Sequence, residues 1–268
     1  MENNKKSKVP ALSRAIDILN FVAENGHCFI TDVAVSLMLP KSSLYLMIDE
    51  LKRLRLLAQS DDGSLRLGLK LMELGSRSVE QLDLRKIAKD HLTRLMLDTG
   101  LVCHLGILDG DDPIYLLKID SQSTIQVRSW EGKRVSLYSS ALGKCLLAWI
   151  SPQRQRELMS AIEFKVMTPY TLSCEEDLIR ELTLIKQRGW SFDNQEDLLN
   201  IQCISAPVFD SSNRLVAAIS AVGTTLQVNE SNLQALAERV MHAAALISRE
   251  MGCEMQPRVS LHVNKEKE

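Results

Sequence analysis

No apolar run in the 268-residue sequence reaches the roughly 18–20 residues that a bilayer span needs. The first residues, Met1-Glu2-Asn3-Asn4-Lys5-Lys6-Ser7-Lys8, have no apolar signal core behind them. A cytoplasmic protein with no membrane partner is expected. The six cysteines, at 28, 103, 145, 174, 203 and 253, never form a Cys-x-x-Cys pair. That removes ribbon-type zinc sites and dithiol redox motifs, and fits buried thiols in a reducing compartment. Cys103 and His104 are adjacent, so in a strand they point to opposite faces and cannot share a metal. Neither a metal nor a cofactor is expected. Lys and Arg number 32 against 34 Asp and Glu, a net charge of −2, which excludes a nonspecific polycation. There is no internal repeat and no low-complexity run.

What is present supports two domains. The length suits two, and a hydrophobic content of 45% is enough to fill a core in each. The most informative stretch is Ile30–Leu67. Leu12, Ile16, Leu19, Phe21 and Val22 form the apolar stripe of a first helix, with Arg14, Asp17 and Asn20 outward. Thr31 is expected to cap a second helix that turns Val33, Ala34 and Leu37 inward. Met38-Leu39 makes a turn. Pro40 then starts a third helix with Leu44, Ile48 and Leu51 buried. Leu56–Gln59 and Leu65–Leu67 read as a hairpin around Asp62-Gly63. That order is a winged helix-turn-helix, which places one helix in a DNA major groove.

The buried stripe of the third helix fixes its outward set: Lys41, Ser42, Ser43, Tyr45, Leu46 and Asp49. Ser42 and Ser43 suit phosphate oxygens at the helix start. Tyr45 can reach a phosphate or a thymine methyl. Arg14, and Arg66 in the wing, are natural phosphate partners, and Lys5, Lys6 and Lys8 can follow the backbone. Asp49 and Glu50 oppose binding if they face DNA. Residues 1–80 hold 11 Lys and Arg and 10 Asp and Glu, a balance of +1; the rest hold 21 and 24, a balance of −3. A winged helix used only for protein contacts is the competing reading.

The remaining chain reads as an α+β unit. A helix over Leu84–Asp98 precedes three strands, Val102–Leu108, Ile114–Ile119 and Thr124–Trp130. Helices follow near Leu142–Ile150, Pro152–Ala161 and Glu175–Arg188. A second hairpin, Ile201–Asp210 with Leu215–Val222, leads to a closing helix over Asn229–Met251. The expected division is a disordered basic arm over 1–9, the winged helix over 10–68, a linker helix over 69–83, a second domain over 84–252 and a flexible tail over 253–268. The second domain has a mostly antiparallel sheet with flanking helices, like the GAF/PAS small-molecule sensing folds.

Several blocks in a fixed order carry a closer resemblance. They are Leu12-Ser13-Arg14-Ala15-Ile16-Asp17-Ile18-Leu19, Leu39-Pro40-Lys41-Ser42-Ser43-Leu44-Tyr45, Leu137-Tyr138-Ser139-Ser140-Ala141-Leu142-Gly143-Lys144, Thr168-Pro169-Tyr170-Thr171-Leu172, Arg188-Gly189-Trp190, and Cys203-Ile204-Ser205-Ala206-Pro207-Val208. Over residues 11–252 the chain resembles the IclR family of bacterial transcriptional regulators. The resemblance implies double-stranded operator DNA as a partner, a small carboxylate effector, and homodimers pairing through the first domain, often assembled into tetramers. It also implies an effector pocket between the sheet and Ser140–Lys144, with Ala141, Leu142 and Gly143 offering backbone N–H groups and with Asp193, Cys203 and Ser220 as polar ligands. A helix starting near Ala141 independently suits a carboxylate, because its first N–H groups and positive dipole end are free. Ser220 lies in an apolar strand, where an inward hydroxyl needs a partner. A bond to a neighbouring backbone group is the plain alternative for Ser220, and a core thiol is the plain one for Cys203.

The departures from the family carry information. Met38 stands where a glycine is common at the turn, and Leu46 where an arginine is common. Asn200 also replaces a typical glycine. Val222 stands where many members have a second serine, so a less polar pocket is expected. The resulting expectation is a ligand-responsive DNA-binding regulator, with repression the favoured sign. Two rivals are a thiol enzyme built on Cys203, with His104 and Asp193, and a regulator answering a protein partner. No oxyanion glycine loop flanks Cys203, which weighs against catalysis.

Overall fold

The computed structural model describes residues 8–80, 83–123 and 127–253. The expected basic arm (but for Lys8 and Val9), the tail beyond Cys253 and the linker end at 81–82 lie outside these residues. The chain folds as two compact units that divide between 81 and 82.

The first unit runs α1 (Pro10–Asn25), α2 (Ile30–Ser36), α3 (Lys41–Arg53), β1 (Leu57–Gln59), β2 (Leu65–Leu67) and α4 (Leu69–Glu80). Its core joins Ile18, Leu19 and Val22 of α1 to Val33, Leu44, Ile48 and Leu51, and is closed by Leu57 and Leu65 of the hairpin. The stripe on α1 is narrower than its apolar residues suggest. Ala15, Ile18, Leu19 and Val22 follow the helical i, i+3, i+4, i+7 spacing inward. Leu12 and Ile16 lie on the next stripe and stay 62% and 48% exposed. Thr31 does not cap α2. The helix begins at Ile30, and Asp32 accepts the Phe29 N–H at 2.8 Å, a carboxylate well placed at the positive helix end. Pro40 flanks α3 and Lys41 is its first residue. The wing docks on the body through Leu65 N–H to Cys28 O at 2.7 Å.

The second unit runs α5 (Asp83–Thr99), β3 (Val102–Asp109), β4 (Asp112–Ile119), α6 (Ala141–Trp149), α7 (Pro152–Ser160), α8 (Glu175–Arg188), β5 (Ser191–Asn194), β6 (Ile201–Phe209), β7 (Leu215–Thr224) and α9 (Leu233–Glu250). The sheet order is β4-β3-β7-β6-β5, with every neighbouring pair antiparallel. Alternation divides it cleanly. Cys103, Leu105, Ile204, Ala206, Ile219 and Ala221 pack with Leu92, Val240 and Ile247 of α5 and α9. Ala141, Cys203 and Val222 cluster on the other face, beside Tyr115, Leu142, Cys145 and Ala218. Helix α6 covers that face, and Leu158, Leu178, Leu182 and Ile185 of α7 and α8 pack behind it.

Four expectations change here. Residues 127–130 of the expected third strand are irregular, and 124–126 lie outside the described residues. The outer edge of β4 is already used: Lys133 O accepts from Tyr115 N–H at 3.0 Å and Pro113 O accepts from Val135 N–H at 2.9 Å. A polar edge strand, β5, was not anticipated and carries Asp193. Helix α9 starts at Leu233, because Asn229–Asn232 forms a turn in which Asn232 Oδ1 takes the Asn229 N–H at 2.9 Å. Cys253, assigned to the tail, is buried.

Candidate functional site

The first unit presents the start of α3. Lys41, Ser42, Tyr45 and Leu46 are exposed, and Ser43 is half-buried. The acidic residues behind them are answered within the helix: Glu50 pairs with Arg53 at 2.6 Å, and Asp49 faces Lys52 at 3.8 Å. These exposed pairs add little stability, but they reduce the repulsion that Asp49 and Glu50 would exert on a phosphate. Arg66 projects from β2. The wing turn beside it is held by Asp62, which accepts from Ser64 N–H at 2.9 Å and Ser64 Oγ at 2.7 Å and meets His27 Nε2 at 3.0 Å. These bonds hold the Asp62 carboxyl below its ordinary range. Arg14 is exposed on α1, which packs on both α3 and β2. Neither Arg14 nor Arg66 is paired with a carboxylate among the described residues. The helix-turn-helix turn holds Met38 at φ +49°.

In the second unit the site builds from the start of α6. Ser140 caps this helix, its Oγ accepting the Gly143 N–H at 2.9 Å and donating to Ser136 O at 2.6 Å. Gly143 therefore does not offer a free N–H, contrary to expectation. Its role is steric: a Cβ there would overlap Ser136 O and press on Leu137 Cα. Among the described residues the open donors of the first turn are the N–H groups of Ala141 and Leu142. Ser191 Oγ donates to Ala141 O at 2.6 Å and ties this turn to the sheet.

Strand register sets the rest. Asp193 pairs with Cys203, Cys203 with Val222, and Ser220 with both Ser205 and His104. These residues share the α6 face. Asp193, Cys203 and Ser220 are all buried there. Asp193 Oδ1 accepts the Glu196 N–H at 2.7 Å, and burial pushes its carboxyl up to about 7. It is thus poised to donate a proton in a hydrogen bond near neutrality. Among the described residues Ser220 Oγ makes no well-formed hydrogen bond to oxygen or nitrogen, and its close polar neighbour is the Cys203 thiol, with which it interacts. The plain alternative, a bond to the neighbouring backbone, does not hold. Asn200 adopts the left-handed conformation allowed for it, φ +64°.

Three groups complete the site that sequence reasoning had not assigned to it. Lys144 of α6 donates to Glu196 Oε1 at 2.5 Å and to Phe192 O at 2.6 Å, a buried pair that fixes the β5–β6 turn. Thr171 Oγ1 holds the same turn through Glu196 O at 2.6 Å. His104 lies on the site face, its Nε2 2.8 Å from Ser129 Oγ, and stacks on Tyr115 with centroids 4.1 Å apart. In the sequence this histidine stood out only beside Cys103 and as a member of the thiol-enzyme rival.

The arrangement does not suit a thiol nucleophile. Burial, with Asp193 adding to it, pushes the Cys203 thiol well above its ordinary range, which disfavours the thiolate. β7 lies between β6 and β3, so His104 is two strands, roughly 10 Å, from Cys203.

The family model for the bacterial transcriptional regulator IclR C-terminal domain matches residues 76–249. The HTH-type transcriptional regulator RhmR of Escherichia coli K12, described as uncharacterized, is 45% identical over 248 residues, covering 92% of this chain and 95% of that protein. The HTH-type transcriptional regulator KdgR of Dickeya chrysanthemi is 33% identical over 251 residues, covering 93% and 82%. The crystal structure of the Thermotoga maritima IclR superimposes with a TM-score of 0.74 at 31% identity, covering 90% of this chain and 98% of that one.

Proposed function

The chain belongs to the IclR family of bacterial transcriptional regulators, and on that premise we propose that it is a repressor whose hold on operator DNA is set by a small carboxylate bound between α6 and the sheet. Like its relatives it is an HTH-type transcriptional regulator and not an enzyme, and in our reading its DNA binding responds to a ligand. The observation that carries the effector reading is a convergence of polar groups: the Ala141 and Leu142 N–H groups at the positive end of α6, without partners among the described residues, with the buried Ser220 hydroxyl, Asp193 and Cys203 on the facing sheet. Gly143 contributes by letting α6 approach the Ser136 backbone.

On DNA, Lys41, Ser42 and Ser43 meet phosphates at the start of α3, Tyr45 and Leu46 face the groove, and Arg14 and Arg66 anchor the flanking backbone. A balance of +1 over residues 1–80 makes one unit a weak binder, so the working form is a homodimer pairing through the first unit, able to assemble into a tetramer. The exposed Leu12 and Ile16 of α1, and Leu69 and Met72 of α4, support such pairing. The regulator acts in the cytoplasm, where the DNA is; among the described residues no helix is long and apolar enough to cross a membrane.

The test starts from genomic fragments selected by the purified protein. Binding measured by fluorescence anisotropy across a salt series should weaken in Arg14→Ala and Arg66→Ala. The log–log slope should flatten by about one for each phosphate that an arginine no longer neutralises. Unchanged slopes would remove both arginines from the interface. A panel of small carboxylic acids should release the fragment; if none does, the carboxylate reading fails.

A further inference from the structure

Helix α3 buries Leu44, Ile48 and Leu51, so the residues opposite that stripe are Ser42, Leu46, Asp49 and Arg53. All four are exposed. A recognition helix lays this outer line along the major groove, with its N-terminal residues on the base edges.

The line holds no group free to read guanine. The commonest guanine contact is a two-pronged bond from Arg or Lys to O6 and N7. Arg53 is the one arginine on α3, and Glu50 takes both of its prongs: Nε donates to Oε2 at 2.8 Å and Nη2 to Oε1 at 2.6 Å. It also stands in the last turn of the helix, away from the end that enters the groove. Lys52 donates to Gln59 Oε1 of the hairpin at 2.8 Å, and Lys41 lies off the line. The helix carries no Asn or Gln to pair with adenine.

Leu46 stands in the middle of the line and is 73% exposed. A single exposed leucine needs no explanation, but one at the centre of a reading face meets whatever docks there. One turn on, the Asp49 side chain is 72% exposed, and its 3.8 Å contact with Lys52 is too long for a hydrogen bond. Its oxygens therefore stay open as acceptors among the described residues. In the major groove the thymine C5-methyl is the apolar mark, and the cytosine N4 amino group is a donor with no acceptor beside it on its base. Adenine sets N7 beside its amino group, which repels a carboxylate. Leu46 matches the first mark and Asp49 the second. Three helical residues rise roughly 4.5 Å, near the roughly 3.4 Å step between base pairs.

We propose that α3 reads pyrimidines: in each half-site Leu46 packs on a thymine methyl, and Asp49 accepts from the amino group of a cytosine on a neighbouring base pair. This rests on the DNA interface proposed above and names the bases it selects. Phosphate contacts such as those of Arg14 and Arg66 supply affinity without sequence information, so discrimination falls to these two side chains.

The unliganded full chain would first select duplexes from a random library. The enriched half-sites should share a thymine and a cytosine on neighbouring base pairs. Anisotropy on one such duplex then isolates each contact. Uridine in place of the thymine removes only the methyl and should raise Kd about fourfold, the worth of one buried carbon. Leu46→Ala should bring the thymine and uridine duplexes within 1.5-fold of each other. Replacing the cytosine pair should cost the parent at least about fivefold, and Asp49→Ala should erase that preference. Asp49→Asn should exchange cytosine for adenine, since an amide bonds adenine N6 and N7 together. Arg53→Ala should keep the preferences of the parent. The substituted side chains are exposed, so the variants should melt with the parent. Uridine tolerated within 1.5-fold at every thymine, an Asp49→Asn variant that keeps cytosine, or half-sites defined by a guanine that Arg53→Ala ignores would overturn this inference. Enrichment of no sequence would overturn it too. The DNA interface itself would fall only if the salt slopes of Arg14→Ala and Arg66→Ala were also unchanged.

Discussion

Replacing Met38 by glycine should stabilise the first unit. Met38 sits at φ +49° between α2 and α3, and is 88% exposed. A left-handed conformation costs an L-residue about 1–2 kcal/mol. Glycine is spared that cost but loses about 0.5–1 kcal/mol more backbone entropy on folding. So exposed a side chain has almost no burial to lose. The net gain is about 0.5–1 kcal/mol, which in a unit of this size raises the melting temperature by roughly 2–8 °C. The assay can assign the shift to its unit. Trp130, Trp149 and Trp190 all lie in the second unit, so tryptophan emission follows that unit alone, whereas far-ultraviolet circular dichroism follows both. A transition that moves up in dichroism but not in emission belongs to the first unit. Met38→Ala keeps the Cβ and should change little. A melting temperature for Met38→Gly at or below the parent would refute the reasoning, and an equal gain in Met38→Ala would trace the effect to the side chain and not to the backbone.

Two further predictions concern the second unit. Asp193 titrates at about 7 in the folded chain, above its unfolded value of about 3.9, so its penalty is absent below about pH 4, grows between the two values and is constant above them. Asp193→Asn should therefore exceed the parent in stability by up to about 4 kcal/mol near pH 8, with the advantage shrinking steadily as pH falls towards 4; parallel melting curves across that range would contradict it. Gly143→Ala would drive a methyl into the Ser136 carbonyl and should cost the second unit at least about 1–3 kcal/mol, seen as an earlier emission transition; an unshifted transition would show that the α6–Ser136 approach is not close.

The fold was legible where periodicity and turn chemistry agree. The stripe Leu44, Ile48, Leu51, the Asp62-Gly63 turn and the β6–β7 pairing all follow from local pattern. Failures came where a tertiary partner decides. Ser191-Phe192-Asp193-Asn194 has neither alternation nor branched residues to mark a strand, and it is one because β6 leaves an edge for it. Residues 127–130 have a strand's composition but find the edge of β4 taken. In the candidate site, Ser220 and Asp193 were named from the family resemblance. Tyr115 was not, because no local signal marks the bulge between Leu105–Leu117 and Gly106–Tyr115 that turns its side chain towards Leu142 and Cys145. Gly143 was misread because a helix start suggests free N–H groups, whereas a serine at the cap consumes one of them.

The alternation of β3, β6 and β7 between two faces has an evolutionary consequence. The proposed sensing residues and the residues that hold the unit together stand at interleaved positions. On the effector site proposed here, changes at 104, 203, 220 and 222 would retune recognition, while 103, 204, 219 and 221 keep the scaffold. With the effector bound there, a lineage could acquire a new effector by point substitution at every second residue. A single inserted residue within one of these strands would exchange the two sets over the rest of that strand. Diversification of sensing in such proteins should therefore proceed by substitution, with insertions confined to the connecting turns.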